Sequence, residues 1–369
     1  LLTKSHIAVA QNASGRNLHV PVYTIDCGNP GPKVYIQSSI HGAEVQGNVV
    51  IYQLIQYLAT SKIHGSITLV PNCNPVGTNI KAGEYTLGRF DPVNGTNWNR
   101  GYFFDEDAVN KFAKGVSETD TEQDIKASFH QYWRGLIDEK MNQSWGIPLA
   151  QRLNLSLQLL AHDADIVMDL HNGPVSSRHI YVPEYAEKEI GLFSVKHNIV
   201  IPNQFAGALD EASFCPWWTL VNHLTTKYSR SYDFNKYAFT IEMGSQEVIN
   251  FEESKTDAQC ILAYLGQKDI VADCAFSPRN MARYVVDLEN YATLYTDFGG
   301  MVEYAAKPGS LIKRGEIMAR VLNIDELDNA NAVTEIAAPC DLIPILHFPS
   351  ASVLSGTQLY KCFTNYRVF

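Results

Sequence analysis

The sequence predicts an α/β fold, a sheet covered by helices and followed by a small β domain. Three features point to it. Through the first three quarters, apolar strand-like runs alternate with helical patterns. A long irregular segment, about residues 82–146, interrupts that alternation. From roughly residue 285 the texture changes to short strands with turn signals.

The runs VYIQSSI (34–40), SITLVPN (66–72), DIVMDLH (165–171) and AFTIEM (238–243) read as buried strands, since continuous apolar runs suit a sheet covered on both faces. Between them, Val49, Val50, Ile51, Leu54, Ile55 and Leu58 fill one broad face of a helix over 45–60, and a second helix fits 148–162. The segment GEYTLGRFDPVNGTNWNRGYFF is rich in Gly, Asn, Asp and aromatics and precedes a charged, helical stretch; an irregular segment this long in a compact domain is commonly functional. The expected domains are therefore 1–284 and 285–369. Within the second, AKPGSLIKRGEIMARV resembles the hairpin of lipoyl and biotinyl carrier domains, but no A-M-K-M-like tripeptide is present, so a carrier role is not expected.

Composition narrows the function. With 369 residues the chain can bury a substantial core. Its formal charge of −10, with no Lys/Arg run, disfavours nucleic acid and anionic membranes as partners. The seven cysteines are odd in number and contain no C-x-x-C pair, which argues for a reducing, cytoplasmic setting. The N-terminal LLTKSHIAVAQNASGR is too polar for a signal peptide, and no apolar stretch is long enough to span a bilayer.

In SSIHGAEVQGN, His41 ends a predicted strand and Glu44 opens the helix after it, a spacing that lets an imidazole and a carboxylate converge on one ion. Catalytic zinc takes three protein ligands, often two His and a Glu, and keeps a fourth position for water. His171, at the C-terminal end of DIVMDLH, is the best third ligand, and Asp169 on the same strand face is placed to orient it. The alternatives are an acid that complements a helix dipole beside an incidental histidine, and a satisfied strand-end histidine. Glu242 interrupts the apolar run YAFTIEM; a carboxylate there is costly unless paired or used, so it is either a general base or half of a structural ion pair.

Taken in order, H-G-x-E, a D-x-N-R-like segment, D-L-H and I-E-x-G resemble the succinylglutamate desuccinylase and aspartoacylase branch of the zinc carboxypeptidase superfamily, across nearly the whole catalytic domain. The resemblance implies a carboxypeptidase-like mixed sheet in an α/β/α core, one zinc per chain on His41, Glu44 and His171, and Glu242 as catalytic acid and base. By the same resemblance, Asn99 and Arg100 grip a substrate carboxylate, Arg89 polarises the scissile carbonyl, and Arg230 offers itself to a second carboxylate. Asn97 stands where the family has an acid, and no tyrosine of the C-terminal segment is assigned to the site. The implied activity is deacylation of a small N-acyl amino acid, with homo-oligomerisation compatible. A zinc carboxypeptidase acting on peptides and a non-catalytic zinc-binding protein are the rivals. A C-terminal domain that restricts access would favour the small substrate, and a retained Glu242 would disfavour the non-catalytic reading.

Overall fold

A computed structural model describes residues 1–369. Ten strands build a mixed sheet: β1 (Leu2–Gln11), β2 (Asn17–Asp26), β3 (Lys33–Ser38), β4 (Ser66–Val70), β5 (Ile166–Gly173), β6 (His179–Pro183), β7 (His197–Ile201), β8 (Tyr237–Ser245), β9 (Tyr284–Asp287) and β10 (Arg367–Val368). Their order is β1-β2-β4-β3-β5-β8-β6-β7-β9-β10. The expected strands correspond to β3, β4, β5 and β8. Every residue of β5 is buried, the polar Asp169, His171 and Asn172 included. The parallel register of β3 on β5 sets Gln37 beside Asp169 and Ser38 beside Leu170.

Six α-helices accompany the sheet: α1 (Gln46–Leu58), α2 (Glu106–Gly115), α3 (Glu122–Met141), α4 (Leu149–Ala161), α5 (Leu209–Tyr228) and α6 (Phe251–Gln267). The helices expected over 45–60 and 148–162 are α1 and α4. On α1 the stripe Val50, Leu54 and Leu58 is fully buried, the i, i+4 spacing of one face. Where the sequence looked irregular and then charged, α2 and α3 form, each started by a side-chain cap: Asp105 accepts from Ala108 N–H (3.0 Å) and Thr121 from Asp124 N–H (3.2 Å). Their apolar faces meet α5 in a core that includes Val109, Phe129, Trp133, Trp217 and Leu220.

By compactness the chain divides into two units. The first comprises Leu1–His171, Asn203–Thr240 and Ile249–Ser277; the second comprises Asn172–Pro202, Ile241–Val248 and Pro278–Phe369. In the second, two four-stranded sheets form, one from Tyr291–Tyr295, Gln358–Phe363, Ile343–His347 and Val175–Ser176, the other from Val333–Ala337, Ile317–Leu322, Gly300–Tyr304 and Ser352–Val353. Met318, Ala319, Leu359 and Tyr360 lie fully buried in its core. All seven cysteines are free thiols. No helix is long and apolar enough to cross a membrane.

Candidate metal centre

Between β3 and α1 the chain makes a tight turn that carries His41 and Glu44. Ser39 enters it with φ of 64°, a left-handed conformation that a non-glycine residue adopts only when its surroundings fix it. They do so with side chains: Ser39 Oγ donates to Glu44 O (2.7 Å) and accepts from Asn48 Nδ2 (2.9 Å). Asn48 Oδ1 accepts from Ser38 Oγ and from Asn72 N–H, and Asn74 Nδ2 donates to Ile40 O. The turn is thus held from both sides before any ligand is considered.

His41, Glu44 and His171 come together as the sequence predicts: one ligand atom from each lies within 4.8 Å of the others, and all three residues are buried. His41 Nδ1 is 2.9 Å from Glu44 Oε1, and His171 Nδ1 is 2.7 Å from Glu44 Oε2. The outer partners decide where the imidazole hydrogens sit. Asn97 Oδ1 accepts the backbone N–H of Asn99 (2.9 Å), which fixes that atom as the amide oxygen. It lies 2.8 Å from His41 Nε2, so that nitrogen carries hydrogen, while Nδ1 faces the Glu44 carboxylate. Likewise His171 Nε2 faces Asp169 Oδ2 at 2.9 Å, and Nδ1 faces Glu44 Oε2. Asp169 is held in turn by Gln37 Nε2, which donates to Oδ1 (3.0 Å).

Two imidazoles and a carboxylate facing one another in a buried space call for positive charge, carried by the imidazoles or by a cation between them. The electrostatics agree. Burial opposes the ionised form of Glu44, yet His41 and His171 hold its carboxyl well below the usual range. Burial also opposes charge on His171, yet Asp169 and Glu44 raise it well above an ordinary histidine. The donor set, two nitrogens and a carboxylate, fits a zinc ion.

A hairpin over residues 89–98 reaches all three candidate ligands, directly or through the residue that follows it. It closes through Asp91 N–H to Thr96 O (2.8 Å) and Trp98 N–H to Arg89 O (3.2 Å). Arg89 Nη1 donates to Glu44 Oε1 (3.1 Å) and Asn97 meets His41. Asn99 Nδ2 lies 3.4 Å from His171 Nε2, a contact too long for a good hydrogen bond, and Asn99 Oδ1 is buried without a partner. Arg100 is exposed at the guanidinium end of the same segment; its Nη1 donates to Asn99 O (2.7 Å). A Cβ on Gly207 would stand 3.0 Å from Arg100 Cδ, so the loop before α5 packs on the arginine's stem.

Arg230 is not brought to this cluster. It follows the C-terminal end of α5, where Nη2 donates to Asp120 O (3.4 Å) and the guanidinium stacks on Tyr232 at 4.5 Å. The physical reason is that Tyr232 is anchored in the α2–α3–α5 core, and the arginine follows its ring. Glu242 sits on β8, half-buried, in the second compact unit. In that unit Tyr291 is its electrostatic neighbour: burial first, then Tyr181 and Glu242, hold the Tyr291 hydroxyl well above its usual pKa, so it stays a neutral donor. Sequence reasoning did not single out Tyr291, and YATLYTDFGG gives no signal to separate it from Tyr295. Gln37 was also missed, although its place one residue before the strand end is the register partner of Asp169.

The chain matches the succinylglutamate desuccinylase/aspartoacylase catalytic domain over residues 30–267. A Shewanella frigidimarina structure assigned to succinylglutamate desuccinylase/aspartoacylase is 40% identical, with TM-score 0.96 over 100% of this chain and 98% of that one. A Shewanella amazonensis protein assigned to the same family is 40% identical, with TM-score 0.94 over 100% of both chains. The product-bound ectoine utilization protein EutE (DoeB) of Ruegeria pomeroyi shares the fold, with TM-score 0.66 at 13% identity over 98% of this chain and 95% of that one. No curated protein matches the sequence.

Proposed function

Because the chain belongs to the succinylglutamate desuccinylase/aspartoacylase family, we propose that it is a zinc-dependent amidohydrolase that removes the acyl group from a small N-acyl amino acid. The observation that carries this reading is the buried convergence of His41 and His171 Nδ1 on the Glu44 carboxylate, with an oxygen of Asn97 or Asp169 facing the outer nitrogen of each imidazole. Zinc held there supplies a Lewis acid and makes water nucleophilic at neutral pH.

The chain's own residues do the rest. Asn99 has a buried side-chain amide without an ordinary hydrogen bond, which suits it to a substrate carboxylate, and the exposed Arg100 fork adds the bidentate charge. Arg89, already beside Glu44, offers its remaining N–H groups to the carbonyl oxygen as negative charge develops there. Glu242 takes the proton of the attacking water and returns it to the leaving amine nitrogen. Tyr291, kept neutral by burial, has a hydroxyl proton to offer near Glu242. The contacts of Arg230 give no support to a second carboxylate site, so one carboxylate next to the scissile amide is the substrate feature we infer. A peptide carboxypeptidase would use the same residues; family membership favours the deacylase.

Two variants test this together. In His171→Ala protein, elemental analysis should find most of the zinc gone. Glu242→Gln should keep its zinc while turnover of N-acyl amino acids drops by about two orders of magnitude or more. Full zinc in the first variant or near-wild-type turnover in the second would overturn the respective assignment.

A further inference from the structure

We propose that Asn97 is a positioning residue whose single neutral oxygen sets how tightly the His41 arm holds metal and locks that arm to the Asn99-Arg100 carboxylate clamp. The proposal rests on the zinc reading above. Its basis is the double use of one atom: Asn97 Oδ1 accepts from His41 Nε2–H at 2.8 Å and from Asn99 N–H at 2.9 Å. The backbone carbonyl of the same residue accepts from Arg100 N–H at 3.0 Å. One residue therefore orients a metal ligand with its side chain and both members of the clamp with its two carbonyls. Its own place is fixed by the bridge between Phe90 and Asn97, which closes the hairpin.

The two histidines are held unequally. His171 faces a carboxylate, Asp169, that is fully buried and itself bonded to Gln37. His41 faces an amide. A carboxylate acceptor makes the imidazole a more basic ligand, and hydrogen bonds to an ionised acceptor are roughly twice as strong as neutral ones. The His41 arm is thus the weaker of the two, and its strength is adjustable by one atom at position 97.

The test measures zinc affinity by competition with a chromophoric chelator, with zinc alone as the probe and thermal melting as the fold check. Asn97→Asp keeps both acceptor contacts and adds charge, so its zinc dissociation constant should fall several-fold below wild type. Asn97→Leu removes both contacts, and its constant should rise about tenfold or more. A leucine variant within twofold of wild type overturns the proposal. Should that variant fail to fold, the aspartate variant decides alone: a role confined to shaping the hairpin leaves it no tighter than wild type, and that result also overturns the proposal. Wild-type protein that takes up no zinc would bring down the metal reading itself, whereas zinc-binding wild type with indifferent variants brings down only the role of Asn97.

Discussion

Asp210 shows what a single buried residue can contribute to pH behaviour. Its carboxylate accepts from Thr240 Oγ1 (2.9 Å) and Glu211 N–H (2.9 Å), and burial, reinforced by the Glu211 charge, pushes its pKa up to about 6. An unfolded aspartate titrates near ~3.9. The folded value is the higher one, so the stabilisation is fully present below about pH 4 and is lost as pH rises through about 6. Asp210→Asn, neutral at every pH and similar in shape, should be more stable than wild type at pH 8 by about 1–3 kcal/mol and nearly equal at pH 4. Urea titrations at the two pH values would show it; a difference that does not change with pH would remove the charge from the account. Residues of this kind are not legible in sequence. His41, Glu44 and His171 were, because strand ends in an α/β sheet gather ligands, and Asp169 followed from strand alternation. The partnership of Asn97 with His41 depends on a hairpin folding back across 56 positions, and nothing local announces it. Arg230 misled for the converse reason: closeness in sequence to β8 says nothing about a side chain that follows Tyr232 into another core.

At the scale of elements, three glycines join the ligand turn to the loops that cover it. A Cβ on Gly42 would stand 2.1 Å from Gly77 C and 2.2 Å from Gly77 O, and one on Gly88 would stand 2.3 Å from Gly77 O. Gly42 N–H donates to Gly88 O (2.8 Å), the residue before Arg89. Because the obstructing atoms are backbone, Gly42→Ala must displace the 77–88 loop and with it the Arg89–Glu44 contact. It should cost about 3 kcal/mol, whereas Gly135→Ala, inside α3 with nothing within 4 Å of its Cβ, should be neutral or stabilising by up to about 1 kcal/mol. Thermal melting of the pair would decide, and equal effects would refute the steric reading. The buried strands and α1 and α4 were readable because apolar runs and stripes survive in any context. The hairpin of β1 and β2 was not: β1 is mostly exposed, with Val9 and Ala10 its only buried residues, so its sequence carries little apolar signal and its pairing, Ile7 with Val20, comes from the ladder.

Across the molecule, stability also depends on charges that composition counts as surface. Lys236 reads in FNKYAFTIE as an ordinary solvated lysine, yet only 6% of it is exposed. Its Nζ donates to Ala164 O (2.8 Å), Asp163 O (3.3 Å) and His130 Nε2 (3.1 Å), pairs with Asp165 Oδ1 (3.1 Å) and lies 4.7 Å from the centre of the Trp217 ring. It thereby ties α3, the turn into β5, and α5 to the start of β8, within the first unit. His130 can accept because burial drives its pKa down to about 3 and keeps it neutral. Burial also lowers Lys236 itself to about 8, against ~10.4 unfolded, with Asp165 opposing the fall. A depressed folded value means that this group's stabilising share is complete above ~10.4 and is lost as pH falls through about 8. Lys236→Met keeps bulk in the site but leaves the buried Ala164 carbonyl and the part-buried Asp163 carbonyl without this donor, and Asp165 with the Lys126 ammonium as its remaining ion pair. The variant should lose about 3 kcal/mol at pH 7. Wild type should also gain stability between pH 8 and pH 10 relative to the variant, so the gap between their urea midpoints should widen as pH rises. A loss below about 1 kcal/mol at pH 7 would mean that the neighbouring groups satisfy one another without the lysine, and the node would not be holding these elements together.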